Sequence, residues 1–304
     1  MRILVVGAGA TGGYFGACLA RAGRDVTFLV RERRKSQLAR TGLRVQSPLG
    51  DFTLAPTLTQ AGALDGQYDL ILLTVKSFGL DQALTDIAPA VGEQTLILPI
   101  LNGMRHIDIL VQRYGERRVM GGLCKIHATL GPDGEIIQMS RLHQISYGAL
   151  DGRNLAVHHQ VDEQFADSGV EHVLTETIID DLWEKWLLLG TLGAVTCLAR
   201  GDTGQVLSAD GGAALLEGMF NEALAIMRAC GYRQRAERVQ SIYSVLSNPA
   251  TPMTSSMYRD LTQGFPIEAR QIIGDLAQRA AQRQIPAPLL NAVNVNLQVY
   301  QQTR

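Results

Sequence analysis

The sequence predicts an α/β protein in two parts, a parallel-sheet domain in the N-terminal half followed by an all-helical C-terminal domain. Apolar strands alternate with helical stretches through the first half, which implies right-handed crossovers and a parallel sheet. From about residue 175 strands cease, and helix-period segments begin near Thr177, Ser208, Gln234, Pro266 and Pro288. The third observation is a glycine fingerprint at the start of the chain. Arg2-Ile-Leu-Val-Val feeds into Gly7-Ala8-Gly9-Ala10-Thr11-Gly12, a G-x-G-x-x-G between a predicted strand and a predicted helix, as in a Rossmann-type nucleotide-binding unit.

In that motif Gly7 makes the tight turn, Gly9 lets backbone approach a pyrophosphate, and Gly12 permits close helix–strand contact. Gly7, Ala8, Gly9, Ala10, Thr11 and Gly12 are therefore candidate phosphate-binding residues at a helix N-terminus. A second strand, Asp25-Val-Thr-Phe-Leu-Val30, completes the unit. Its end reads Arg31-Glu32-Arg33-Arg34-Lys35. An acidic residue at this position serves the ribose 2′-hydroxyl of NAD, so Arg31 points to a 2′-phosphate and NADPH. Glu32 keeps NAD open, and at least one of Arg33, Arg34 and Lys35 belongs to a solvated helix face.

Further along come the strand Tyr68–Val75, a helix from Gly79, the strand Thr95–Leu98, a helix from Gly103 and the strand Val119–Cys124. Gly-Pro-Asp-Gly at 131–134 predicts a hairpin that extends this sheet. The composition shift near 171–176 puts the boundary between domains 1–174 and 175–304. Thr74-Val75-Lys76 and Leu101-Asn102-Gly103 each end an apolar strand on polar residues, where parallel sheets bind ligands; Asn102-Gly103 also reads as a simple turn.

With 46% hydrophobic residues and a net charge of −1, the composition is that of an ordinary globular enzyme and argues against a nucleic-acid partner. No cleavable signal pattern opens the chain, so a cytoplasmic location is expected. The apolar stretch from Trp186 to Ala199 is too short for a bilayer and reads as a buried helix. Cys18, Cys124, Cys197 and Cys230 are scattered and expected to be reduced core residues, and the histidines lack metal spacing. No metal and no membrane association are expected.

In the helical half, Ile179, Leu182, Trp183, Trp186 and Leu187 form one apolar stripe, and Lys185 lies off it. Leu188, Leu189 and Leu192 make the helix apolar all round just beyond the lysine, which places an ammonium at the mouth of a buried helix. An i,i+4 pair with Asp181 on a solvated face is the competing explanation. Glu268 after Pro266, and Thr254-Ser255-Ser256, fit ordinary helix N-terminal chemistry as well as ligand contacts.

Taken together, these features resemble the ketopantoate reductases. The glycine fingerprint, Arg31, Val75-Lys76, Asn102-Gly103-Met104, Leu182-Trp183-x-Lys185, Ser255-Ser256-Met257, Glu268 and the late Gln284-Ile-Pro-Ala-Pro288 stand in that family's order and spacing. The resemblance spans essentially the whole chain. It implies an NADPH-binding domain, reduction of a 2-oxo acid in pantothenate biosynthesis, and Lys185 as general acid. It further implies Asn102 as a contact to cofactor and substrate, Ser256 as a substrate contact, and Lys76, His127 and Glu268 as cofactor contacts. A homodimer formed through the helical domain is expected.

This chain departs from the family where asparagines usually stand four and eight residues after the lysine, carrying Leu189 and Gly193, and again at Thr203. Leu189 and Gly193 are thus expected to form a substrate wall, apolar at the first position and empty at the second. A site that loses polar contacts changes its substrate choice more than its chemistry. The activities that follow are a 2-dehydropantoate 2-reductase or close paralogue, a reductase of a more apolar oxo compound, or a weakly active NADPH-sensing protein.

Overall fold

A computed structural model describes all 304 residues, and its contacts divide the chain into two units. Met1–Leu101 and His106–Ile179 form the first; Asn102–Arg105 and Asp180–Arg304 form the second.

The first unit runs β1 (Arg2–Val6), α1 (Ala10–Arg21), β2 (Asp25–Leu29), α2 (Glu32–Thr41), β3 (Leu43–Gln46), β4 (Phe52–Leu54) and β5 (Thr57–Thr59). It continues through β6 (Tyr68–Leu73), α3 (Leu80–Asp86), β7 (Val91–Pro99), α4 (Arg105–Tyr114), β8 (Met120–Leu130), β9 (Ile136–Ala149), α5 (Ala156–Phe165) and β10 (Glu171–Leu174). A five-stranded sheet has the order β5-β2-β1-β6-β7, with every pair parallel. Its central strands are apolar throughout because both faces are covered. Ile3 and Val5 pack with Phe15 and Leu19 of α1, whereas Leu4 and Val6 pack with Leu80 and Leu84 of α3. Val6 pairs with Leu29 and with Leu73, so β1, β2 and β6 end level. Gly7, Arg31 and the Thr74–Lys76 segment consequently leave the sheet from adjacent carboxyl ends.

The hairpin expected at 131–134 forms, with β8 and β9 antiparallel across it, but it builds a second sheet and does not extend the first. Residues 119–124, expected as a strand of the parallel sheet, pack against β7 but pair with that sheet only through a single parallel bridge between Ile97 and Val119. The physical reason is the partner: β9 pairs with β8 along both lengths, which a short turn makes easier than a further parallel crossover. β9 also takes β3 at its start and β10 at its end, both parallel, and β4 closes that edge. Ile136, Ile145 and Tyr147 of this sheet share a core with α1.

The second unit contains α6 (Ile178–Ala199), α7 (Thr203–Ser208), α8 (Gly212–Ala229), α9 (Ala236–Leu246), α10 (Ser256–Thr262), α11 (Asp275–Gln282) and α12 (Pro288–Thr303). A π-helical turn, Arg270–Gly274, leads directly into α11. Ser208, expected near a helix start, instead ends α7, whose start is a capping box: Asp202 Oδ1 accepts from the Gln205 amide at 2.8 Å, and Gln205 Oε1 accepts from the Asp202 amide at 2.9 Å. The boundary expected at 174/175 falls inside the first unit's contacts. Thr175 donates its amide to Tyr147 O at 2.9 Å, and its carbonyl accepts from Asn154 Nδ2 at 3.1 Å.

Helix α6 has 22 residues and by length and composition alone could cross a bilayer, but it is the buried helix expected from residues 186–199. Burial within the protein accounts for its apolarity: 72% of its most apolar window is covered by the chain itself.

Candidate active site

At the glycine turn, the backbone does what the motif requires. Gly7 has φ +97°, a conformation open to glycine, and its amide donates to Leu29 O at 3.1 Å. A side chain at Gly12 would collide with Thr74 Oγ1 and Gly7 O, whereas the space around a Cβ at Gly9 is open. Thr74 is a residue that the motif does not mark. Its hydroxyl lies 2.9 Å from Val6 O and 3.1 Å from Gly7 O, tying β6 to the turn. Gly9 is the N-cap of α1, so the first amides of that helix face the turn. This is a cradle that fits a dinucleotide pyrophosphate, with Gly7 to Gly12 as its backbone.

The basic cluster after β2 divides by role. Arg31 is the exposed N-cap of α2, and Arg33 is also exposed. Lys35 Nζ donates to Gln60 Oε1 at 2.9 Å. Arg34 is half-buried and turns back, its Nε 3.0 Å from Ala8 O. The Glu32 carboxylate accepts from Ser36 Oγ at 2.8 Å and Gln60 Nε2 at 2.9 Å, and these bonds, Ser36 first, hold it below the usual carboxylate range. Lys76 is exposed just beyond β6. His127 is exposed on β8 where the pairing with β9 shifts register between Ile126 and Ala128.

In the second unit, one short segment links the neighbourhoods of Asn102, Lys185 and Glu268. Glu268 is half-buried, and its carbonyl accepts from the amides of Gln271 (3.1 Å) and Ile272 (3.0 Å) as the π-turn begins. Helix therefore starts after Glu268, and Pro266 lies outside it, so the expected first-turn acid following a first-position proline is not what forms. Trp186, adjacent to Lys185 and fully buried, donates Nε1 to Ile272 O at 3.0 Å. Gln271 donates Nε2 to Asn102 O at 2.9 Å. Gly103, at φ +79°, lies so close that a Cβ there would sit 2.8 Å from Gln271 O. π-turns recur at functional sites because their altered hydrogen bonding re-aims the groups around them.

Lys185 itself is half-buried on α6. Arg235 engages two acids that precede the lysine within one turn of α6: its Nη2 reaches Asp181 Oδ1 at 2.5 Å, and its Nε reaches Glu184 Oε1 at 2.6 Å. Glu184 is only 5% exposed and also accepts from Tyr232 at 3.2 Å and Arg238 at 3.3 Å. These ion pairs raise the Arg235 pKa, the Glu184 hydrogen bond foremost. The paired carboxylate of Glu184 ties α6, one residue before Lys185, to Arg235 at the start of α9.

The expected empty wall at Gly193 is corrected by the packing. Gly193 is buried, and a Cβ there would lie 2.8 Å from Met257 Cε, so a methionine methyl fills the space. Leu189, one turn nearer Lys185, is half-buried. Ser256 is exposed at the start of α10. Its neighbour Ser255 supplies the cap, accepting from the Tyr258 amide at 2.9 Å while its Oγ lies 3.1 Å from Thr196 Oγ1. Thr203, also buried, accepts from the Met253 amide at 2.9 Å. Gln271 escaped the sequence reading, and Met257 entered it only as part of the Ser255-Ser256-Met257 motif, because their contacts depend on which distant segment faces them.

Two family models match the chain, ketopantoate reductase PanE/ApbA over residues 3–152 and ketopantoate reductase PanE/ApbA C terminal over residues 177–301. The uncharacterised oxidoreductase YkpB of Bacillus subtilis (strain 168) is 32% identical over 301 residues, covering 99% of each chain. The crystal structure of 2-dehydropantoate 2-reductase from Geobacter metallireducens GS-15 superimposes with a TM-score of 0.87 at 28% identity, covering 98% of this chain and 99% of that one. D-mandelate dehydrogenase, in a ternary structure with NADH and anilino(oxo)acetate, shares the fold with a TM-score of 0.88 at 19% identity, covering 100% and 99%. With both family models in register over the two units and a full-length oxidoreductase relative, the chain belongs to the ketopantoate reductase family of oxidoreductases.

Proposed function

We propose that this protein is an NADPH-dependent reductase of a 2-oxo acid, acting as a 2-dehydropantoate 2-reductase or as a close paralogue with a more apolar substrate. The observation that carries the proposal is Lys185, half-buried on α6 next to Trp186, whose indole bonds the π-turn that Glu268 precedes. The glycine turn from Gly7 to Gly12 and the N-terminus of α1 would hold the pyrophosphate. Arg31 supports a 2′-phosphate, and the Glu32 carboxylate, already taken by Ser36 and Gln60, is poorly placed to serve ribose hydroxyls instead.

When bound, the nicotinamide supplies a hydride to the carbonyl carbon. As negative charge builds on the carbonyl oxygen, the Lys185 ammonium stabilises it and donates a proton to that oxygen, giving the 2-hydroxy acid. The neutral amine left on Lys185 regains a proton from solvent. Glu268, Asn102 and Ser256 are assigned to contacts with cofactor and substrate, and Lys76 and His127 to the cofactor.

The more apolar substrate is favoured by Leu189, half-buried one turn beyond Lys185, where a hydrogen-bonding side chain would otherwise read a hydroxyl. The test is oxidation of NADPH and NADH over a panel containing ketopantoate, 2-oxoisovalerate and an aryl 2-oxo acid. Turnover of a 2-oxo acid with NADPH is expected, with ketopantoate inferior to the apolar members. Absence of turnover with every 2-oxo acid would refute the reductase assignment, and ketopantoate as the best substrate would refute the apolar preference.

A further inference from the structure

Arg34 sits three residues past the strand-end arginine, yet its guanidinium points back into the first unit. Its Nε donates to Ala8 O at 3.0 Å, inside the glycine fingerprint. Its Nη1 donates to Gly134 O at 2.7 Å, in the turn between β8 and β9, and to Gln37 Oε1 at 2.8 Å. Gln37 in turn donates Nε2 to Asp133 O at 2.7 Å. Burial lowers the Arg34 pKa, and its Nη2 is buried without a protein partner. A second contact joins the same two features: a side chain at Gly13, in the first turn of α1, would collide with Ile136 at the start of β9.

A cation held against neutral carbonyls gives up hydration for geometry. In a planar trans peptide the carbonyl and the following N–H point in opposite directions. Anchoring Ala8 O therefore aims the Gly9 N–H away from Arg34. Resting on the cofactor assignment above, we propose that Arg34 is a positioning residue for dinucleotide binding: it sets the Ala8–Gly9 peptide plane and couples the phosphate-binding turn to the β8–β9 hairpin. It acts on the part of the cofactor common to NADPH and NADH, and the 2′-phosphate is left to Arg31.

Calorimetric titration with NADPH and with NADH separates these roles in Arg34→Met, Arg34→Lys and Arg31→Ala, each first shown to be folded by circular dichroism. Arg34→Met is expected to weaken both nucleotides by the same factor, on the order of tenfold, the scale of one charge-assisted hydrogen bond. Arg34→Lys, which keeps the charge but loses the fork, is expected to lose part of that in both. Arg31→Ala is expected to weaken NADPH alone. In the nucleotide-free protein, Arg34→Met should also speed hydrogen exchange of the amides of residues 8–13, a readout independent of any ligand. If Arg34→Met does not fold, Arg34→Lys and Gln37→Leu carry the test, the latter loosening the hairpin turn with the arginine intact. Loss confined to NADPH in the Arg34 variants would make Arg34 a 2′-phosphate ligand and overturn the proposal. So would unchanged affinities and exchange. Failure of the unmodified protein to bind either nucleotide would instead overturn the cofactor assignment, and the positioning role with it.

Discussion

Gly193 and Met257 are packed as one unit: the methionine methyl occupies the space that a side chain at 193 would need, 2.8 Å from an added Cβ. The stripe of α6 that carries Lys185 thus passes from the half-buried Leu189 to a position sealed by α10. Gly193→Asn should cost about 1–3 kcal/mol by overpacking, read from urea unfolding. Gly193→Ala should be close to neutral, since the methionine tip can yield and alanine gains roughly 0.5–1 kcal/mol in a helix. Combining Gly193→Asn with Met257→Ala should be less damaging than the sum of the single changes, by at least about 0.5 kcal/mol. Strict additivity would show that the two side chains do not compete for the space.

Lys185→Met should lower single-turnover rates by about two to four orders of magnitude while leaving nucleotide affinity largely intact, the usual scale of general acid catalysis. A loss below threefold would return Lys185 to an ordinary surface role.

Arg31→Ala should narrow the preference between NADPH and NADH by lowering affinity for the phosphorylated nucleotide alone. Equal binding of both by the unmodified protein would contradict a 2′-phosphate site at Arg31.

Trp186→Phe removes the only indole donor to Ile272 O while keeping an aromatic ring in the core. Leaving that carbonyl without its partner should destabilise the protein by about 1–3 kcal/mol in calorimetric unfolding. The rate of reduction should fall as well, because the π-turn follows Glu268 directly. An unaltered unfolding curve would mean that the bond contributes nothing net.

His158 is 6% exposed and accepts the Leu155 amide on Nδ1 at 2.9 Å, which requires that nitrogen to be unprotonated. Burial lowers its pKa, and the nearby Asp151 only partly opposes this. His143 is shifted in the same direction, again by burial. The unfolded chain therefore binds protons first as pH falls. Stability is complete above the unfolded value of about 6.5 and declines as pH drops from there toward the depressed folded values. Thermal midpoints measured from pH 7.5 to 5 should show this fall, and it should be smaller in His158→Asn, whose amide oxygen can accept the same bond without titrating. An identical pH profile in that variant would place the loss elsewhere.

Much of the site was legible locally. The glycine turn needs only its own backbone angles and the flanking β1 and α1, so a short motif is enough to specify it. Lys185 was identifiable as a charge interrupting an apolar helix, but periodicity alone left it undecided between cleft and surface. For Glu268 the residues alone left helix-start chemistry and a ligand contact both open; the helix start that Pro266 suggested does not form, and the π-turn that does form has no sequence signature. Arg34 looked like one cation among several; its partial burial and its bonds to Ala8 O and Gly134 O separate it from the exposed Arg33.

By itself the sequence determined the alternation of apolar strands and helices in the first half, the glycine turn, and the change from strands to helices, because each follows from residues close together in the chain. Tertiary structure decided what depends on distant partners. The β8–β9 hairpin joined a second sheet because β9 offered β8 a full-length antiparallel partner. Gly193 was closed by Met257, and Asn102 was tied to Gln271, across 64 and 169 positions of chain that no local pattern spans. Those contacts come from which helix faces pack together, which is settled by the burial of the whole apolar surface and not by any one segment.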